Sequence, residues 1–444
     1  MTDTSTMNRP SGADAAAPVG RPRLLPSGLD AAGLRRHVQL HGPLPYRGVR
    51  DRLIIQIEAA GLTGRGGAAF PAARKLAAVA AGRRPGRGGR PVVVGNGAEG
   101  EPASRKDKHL LGRSPHLVLD GLQLAAEAVG ARRAYLYVHR DDALHERLRA
   151  AIAQRSAAGC DRVAVRLVAA PPRFLAGEES ALASKIGGGL ARPTFTPPRV
   201  FERGVDGAPT LVQNVETLAH MALIARHGAA WFREAGTPAE PGTMLITAHR
   251  ADGGIEVAEV EIGTPLRILL GLDAAPAQAV LTGGYHGAWI SAADAARLPL
   301  TNAALRPLGG TVGAGVLAAL PHGRCGLVET AHVVRYLAAE SAGQCGPCRA
   351  GLPRIADAVA QLSRPRPDPR LLAHLERWAG LVAGRGACRH PDGTVRFVGS
   401  ALTVFAEEIT RHRHGQCTAE AAAAPREPFL PIPAGRPLDR DDWS

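Results

Sequence analysis

Three cysteines have the spacing of a metal centre: the pair in Cys345-Gly346-Pro347-Cys348, and Cys388 at the end of the turn Gly384-Arg385-Gly386-Ala387-Cys388. The pair alone is the dithiol sequence of thioredoxins, but a thioredoxin carries it after a strand in a small domain. Here it follows a helical pattern and the link Glu340-Ser341-Ala342-Gly343-Gln344, which favours a metal site. Iron–sulfur clusters are held by Cys thiolates. Zinc accepts three Cys and one His, and His390 is at hand. Spacing does not choose between the two metals. Cys160 and Cys325 read as ordinary buried thiols.

Three further loops could hold an anionic ligand. Gly64-Arg65-Gly66-Gly67-Ala68-Ala69-Phe70-Pro71 precedes a helix carrying Lys75. Glycines admit close backbone approach, a helix N-terminus offers free N–H groups, and Lys75 could pair a phosphate. The loop lacks the Gly-Lys-Ser/Thr end of a P-loop and does not follow a strand, so a plain tight turn competes with a phosphate cradle. Asn96-Gly97-Ala98-Glu99-Gly100-Glu101-Pro102 follows an apolar strand pattern, and Gly177-Glu178-Glu179-Ser180 closes another. Ligands of open α/β sheets gather at the carboxyl ends of strands, where acidic groups hold ribose hydroxyls. The competing role for each carboxylate is to cap a helix N-terminus. Three such loops at one sheet edge argue for a shared ligand.

The elements that would position these loops follow from the pattern. The chain has 444 residues, 45% hydrophobic and 21% charged, which suits about three globular domains. Strands at 91–94, 134–138 and 163–168 alternate with helices at 115–129 and 141–157, the signature of an α/β fold with a parallel sheet. Residues 241–320 read as a small β-grasp module: a hairpin at 244–248 and 256–262, a short helix at 265–270 and a strand at 279–281. Helices follow at 328–339, 352–362, 371–381 and 402–411. Residues 1–26 and 419–444 read as disordered tails.

The net charge of +14 rests on 54 cationic residues, of which only Lys75, Lys106, Lys108 and Lys185 are lysine. They are dispersed, without the interleaved aromatics of a base-stacking platform, so no nucleic-acid partner is expected. Residues 82–90 read as a solvated basic loop. No stretch suits a membrane span or a signal peptide. The expectation is a cytoplasmic protein with no direct membrane insertion, reaching a membrane only through a partner complex.

In order, the strings GRGGAAFP, NGAEGEP, GEESAL, QNVET, ESAGQCGPC and GRGAC resemble one family: the NADH-oxidising flavoprotein (F) subunit of bacterial complex I. The matching subunits of NAD-linked formate dehydrogenases and hydrogenases share them. The resemblance spans about residues 45 to 412. It implies a Rossmann-like FMN- and NADH-binding domain over 27–240, a β-grasp (SLBB-like) module over 241–320 and a C-terminal four-helix iron–sulfur bundle over 321–418. By resemblance Gly64, Arg65, Gly66, Lys75, Asn96, Glu99, Gly177, Glu178, Gln213 and Asn214 cradle FMN. Glu101 and Glu179 face the nicotinamide ribose, and Phe70 stacks on NADH. The implied activity is hydride transfer from NADH to FMN, with single electrons passing through a 4Fe–4S cluster to a ferredoxin-like acceptor or other oxidoreductase subunits.

The chain departs from the family at specific points. Ala342 stands where the family has a cluster cysteine, leaving Cys345, Cys348 and Cys388, with Cys417 as the candidate replacement; a three-iron cluster is the alternative. Ala98 replaces an acidic residue of the FMN loop and Gln213 an asparagine. Ala78 and Arg199 replace aromatics that stack on adenine, and Thr196 a lysine. Two lost stacking contacts at about 1 kcal/mol or more each weaken NADH binding about tenfold to a hundredfold. The competing reading is therefore an electron-transfer or structural subunit of the same fold that no longer oxidises NADH.

Overall fold

A computed structural model describes residues 23–25, 33–46, 50–82, 89–421, 427–433 and 443–444. Four parallel strands, β1 (Val92–Gly97), β2 (Arg133–His139), β3 (Val165–Ala170) and β4 (Thr210–Asn214), form a sheet in the order β3-β2-β1-β4. Val92, Val93 and Val94 have no exposed surface. Val93 packs into one apolar cluster, and Val92 and Val94 into another on the opposite face. A strand covered on both sides reads as an unbroken apolar run, as here.

β1 outruns the expected strand by three residues, because Gly95, Asn96 and Gly97 still pair with Leu136, Tyr137 and Val138. Its carboxyl end thus delivers Asn96 directly opposite Asn214 of β4. The helix Pro115–Val129 has the expected bounds, with Pro at its first turn and Gly130 in the left-handed conformation after it. The helix Val215–Arg233 is absent from the sequence reading; Asn214 caps it by accepting the N–H of Glu216 at 2.9 Å.

The second sheet has strands β5 (Thr243–His249), β6 (Ile255–Glu261), β7 (Ala277–Thr282), β8 (Ala288–Ser291) and β9 (Val316–Pro321), in the order β6-β5-β9-β7-β8. β5 and β6 form an antiparallel hairpin, and β9 runs parallel to β5. Side chains alternate between two cores. Val280, Leu317 and Ala319 face the module's own interior, whereas Ala279, Leu281, Ala318 and Leu320 face the helical unit.

That unit comprises the helices Gly326–Ala339, Leu352–Leu362, Leu371–Val382, His390–Val404 and Ala406–Arg413. The helix expected at 402–411 is instead the meeting of the last two, which break at Phe405. The five-residue turn Pro347–Gly351, carrying Cys348, is π-helical. Such turns are rare and recur at functional sites.

Parts of both expected tails are folded. Leu24 is fully buried, and Glu259 accepts its N–H at 2.7 Å. Leu430 is also fully buried; Phe429 N–H donates to Glu329 at 3.0 Å, and the Tyr285 hydroxyl donates to the Pro431 carbonyl. Trp443 is buried, with the guanidinium groups of Arg173 and Arg192 4.8 and 5.5 Å from its ring centre. The sparse apolar residues of these segments find partners only in the tertiary structure. Most of both tails, and residues 83–88 of the expected basic loop, lie outside the described residues. No described helix is long and apolar enough to cross a membrane.

Candidate functional site

The three glycine-bearing loops converge beyond the carboxyl ends of β1, β3 and β4. Asn96 donates through Nδ2 to the Gly177 carbonyl at 2.8 Å and accepts the Ala98 N–H at 3.1 Å, so one side chain ties two loops together. A Cβ on Gly177 would come within 2.7 Å of the Ala98 carbonyl oxygen, and one on Gly100 within 2.2 Å of the Phe174 oxygen. Only glycine lets these backbones approach so closely. The first loop joins them through Gly66, whose Cα faces the Asn214 side chain, and through an ion pair between Lys75 and Glu179. Phe70 presents an exposed ring at the rim, with the Arg74 guanidinium 5.6 Å from its centre.

Beneath the loops lies a buried charge network. Lys106 Nζ is 2.7 Å from Asp107 and 2.8 Å from Glu216, and all three are buried. Asn214 donates to Asp107 at 2.7 Å, linking the network to the end of β4. Burial alone would lower the Lys106 ammonium, but its two carboxylate partners raise it. Burial opposes ionisation of Glu216, yet Lys106 and His220 hold its carboxyl down at about 2. The sequence signals for this network were a lysine retained in an arginine-rich chain and the glutamate inside QNVET.

Three expected ligand residues spend their side chains internally. The Arg65 guanidinium donates to Thr63 Oγ1 at 3.0 Å and to the Thr243 carbonyl at 3.1 Å, and its backbone N–H donates to Thr217 Oγ1 at 2.9 Å. Glu99 accepts the N–H groups of Asp107 and Lys108 at 3.1 and 3.2 Å, capping the helix Lys106–Arg113. Glu178 accepts those of Ser180 and Ala181, capping Glu179–Ile186. Both carboxylates take the capping role that competed with ligand binding in the sequence.

Glu101 reaches into the second sheet's module and accepts the Tyr285 N–H at 2.8 Å. Burial raises its carboxyl to about 7. Gly284 leaves room for it, since a Cβ there would lie 2.5 Å from Glu101.

Cys345, Cys348 and Cys388 gather in the helical unit beside these loops. Burial pushes the Cys348 thiol up to about 12, with Cys345 adding to the effect. Burial likewise pushes Cys388 up to about 11; Glu178 and Cys345 are near enough to raise it further. Glu340, at the start of ESAGQCGPC, accepts the Phe174 N–H at 2.8 Å and pairs with Arg173, tying the cysteine segment to the glycine loops. Phe174, His286 and His390, one ring from each structural unit, pack at centroid distances of 4.9 to 5.8 Å.

His390 does not complete a metal site: its Nδ1 faces His286 Nε2 at 2.9 Å and its Nε2 the Leu337 carbonyl at 2.9 Å, so both nitrogens are committed. Nor does Cys417 join the three cysteines. Its thiol instead groups with Cys325, Glu408 and His412, because the chain after the last helix turns toward the start of Gly326–Ala339.

Residues 57–223 match the family described as the Nuo51 FMN-binding domain, and residues 329–412 the NADH-ubiquinone oxidoreductase-F iron-sulfur binding region. The chain belongs to the flavoprotein F-subunit family. It is 27% identical to the second NADH-quinone oxidoreductase F-subunit of Rhizobium meliloti, over 82% of this chain and 89% of the relative. It is 28% identical to the NADH-quinone oxidoreductase F-subunit of Escherichia coli, over 81% and 84% respectively. Among solved structures, an air-oxidized NAD+-reducing NiFe hydrogenase superposes with a TM-score of 0.74 at 28% identity, covering 89% of this chain and 69% of that one. The H2-reduced form gives 0.73 at 27% identity, covering 86% and 66%.

The family's cofactors, FMN and an iron–sulfur cluster, fit the residues present. The Gln213 amide nitrogen at the end of β4 is buried without a hydrogen-bond partner, a donor awaiting an acceptor in the cradle. Among the described residues, the three cysteines are not a group whose ligand atoms all fall within 4.8 Å of one another. That spread is wide for the tetrahedron of a single zinc ion and suits a larger cluster.

Proposed function

We propose that this flavoprotein-family chain oxidises NADH and passes the electrons singly to other oxidoreductase subunits. The observation that carries this reading is the tie of Glu340 to the Phe174 N–H and to Arg173, which sets the glycine-loop cradle against the cysteine centre. Bound there, FMN supplies two-electron hydride acceptance and one-electron release, and the cluster carries single electrons onward.

In this reading Gly64, Gly66 and Gly177 line the flavin and Gln213 offers it an amide donor, while Asn214, its amide spent on Asp107, backs the cradle. Lys75 exchanges Glu179 for the flavin phosphate, a charge-assisted bond stronger than a neutral one. Glu101 and the released Glu179 then hold the nicotinamide ribose, and the exposed Phe70 ring stacks on the dinucleotide. Cys345, Cys348 and Cys388 hold the cluster. The chain needs no general acid or base; its task is alignment and exclusion of water. A ferredoxin-like protein is the simplest acceptor, since the electrons leave singly through the cluster held by Cys345, Cys348 and Cys388.

The test is the visible spectrum of anaerobically purified protein before and after NADH. Flavin bands that bleach over a broad iron–sulfur absorbance are expected. Flavin and iron that dithionite reduces but NADH does not would favour the second reading, in which Ala78 and Arg199 mark a dinucleotide pocket that has lost its ligand.

A further inference from the structure

Outside the cradle and the cysteine centre, Cys325, Glu408, His412 and Cys417 bring one sulfur, nitrogen or oxygen atom each to within 4.8 Å of all the others. Among the described residues this is the one such group of metal-ligating side chains. Cys325 immediately precedes the helix Gly326–Ala339, Glu408 and His412 sit one turn apart on Ala406–Arg413, and Cys417 follows that helix. Cys325, Glu408 and His412 are buried and Cys417 is partly so.

The spacing is that of a tetrahedron. Zinc bonds of about 2.3 Å to sulfur and about 2.0 to 2.1 Å to nitrogen or oxygen give ligand–ligand edges of about 3.6 Å for S···N and about 3.3 Å for N···O. Cys325 Sγ lies 3.5 Å from His412 Nε2, and His412 Nε2 lies 3.2 Å from Glu408 Oε1. The surrounding bonds fix these donors. His412 Nδ1 is 3.0 Å from the Leu362 carbonyl, so it carries the proton and leaves the Nε2 lone pair aimed at the group. Glu408 is oriented by the Thr418 N–H at 2.8 Å and by the Thr418 hydroxyl. A histidine oriented through its second nitrogen and a carboxylate held by hydrogen bonds are the outer arrangement of a built metal site.

We propose that these four residues bind one structural zinc ion, separate from the iron–sulfur centre, which clamps the segment after the last helix to the start of the helical unit. Four protein ligands leave no open position for catalysis, and mixed sulfur, nitrogen and oxygen donors in a compact tetrahedron suit zinc. The clamp closes the stretch of chain that contains Cys345, Cys348 and Cys388, so the ion stiffens the frame around that centre without touching it.

The full-length protein, purified without chelator under reducing conditions, is assayed for zinc and iron and by X-ray absorption at the zinc edge. About one zinc per chain is expected, with a shell of two sulfur and two nitrogen or oxygen atoms. Cys348→Ser keeps the zinc while losing iron; Cys417→Ser and His412→Gln lower zinc at least about tenfold and keep iron. Zinc that follows Cys348 rather than Cys417, or a shell of three sulfurs, would place the ion in the other centre and overturn the proposal. A wild-type protein with no zinc, and with Cys325 and Cys417 either free or joined in a disulfide, overturns it equally. Should the variants fail to fold, the zinc count and edge spectrum of the wild type still decide.

Discussion

The Glu101 carboxylate accepts the backbone N–H of Tyr285 at 2.8 Å, so the loop after β1 is held by the neighbouring module rather than by its own domain. Burial at that contact raises the carboxyl from 4.5 to about 7. The folded protein therefore binds a proton there that the unfolded chain has already released. Between about pH 4.5 and about 7 this group's contribution to stability falls as pH rises, and above about 7 the loss is complete. Urea unfolding at pH 5 and pH 8 should show a decline of up to about 3 kcal/mol from this residue. Glu101→Gln should remove that part of the slope; an unchanged slope would show that Glu101 titrates normally.

Lys75→Ala should lower FMN affinity about tenfold to a hundredfold, from loss of a charge-assisted bond of about 1.5 to 3 kcal/mol. Flavin fluorescence during reconstitution reads this directly. Glu179→Gln should leave FMN binding intact or tighter, because Lys75 is then released from its ion pair. Full flavin retention in Lys75→Ala would remove the phosphate role.

Cys348→Ser should abolish the brown colour and most of the iron while flavin remains, since the cysteine centre and the cradle occupy different structural units. Unchanged iron in that variant would refute the cluster assignment.

Lys106→Met should destabilise the protein by about 3 to 5 kcal/mol, because it strands Asp107 and Glu216 as buried charges. A fall of less than about 1 kcal/mol in chemical unfolding would mean that the network is dispensable.

What could be read from the sequence divides along physical lines. Helix Pro115–Val129 carries its start signal, Pro115, and its stop signal, Gly130, in the chain, and the apolar runs of β1 and β2 suit strands covered on two faces. Helix His390–Val404 escapes a sequence reading because Pro391-Asp392-Gly393 looks like a turn, although Pro and Asp in a first turn also open a helix. The FMN and iron–sulfur character is legible because its motifs are local strings. Which carboxylates are free is not: Glu99 and Glu178 cap helices, and only the assembled loops show it. The pairing of Cys325 with His412, 87 positions apart, has no local signal, and for the same reason the sequence points Cys417 at the wrong neighbours.

The rings of Phe174, His286 and His390 come from three different units, and each touches the other two. Such a three-way lock removes the hinge that two packed domains would otherwise share. If electrons cross between the cradle and the cysteine centre, they cross a gap whose width is set by side-chain packing rather than by domain breathing. Tunnelling rates fall steeply with distance, so this chain would conduct at one steady rate, with any gating left to the partner that collects the electrons.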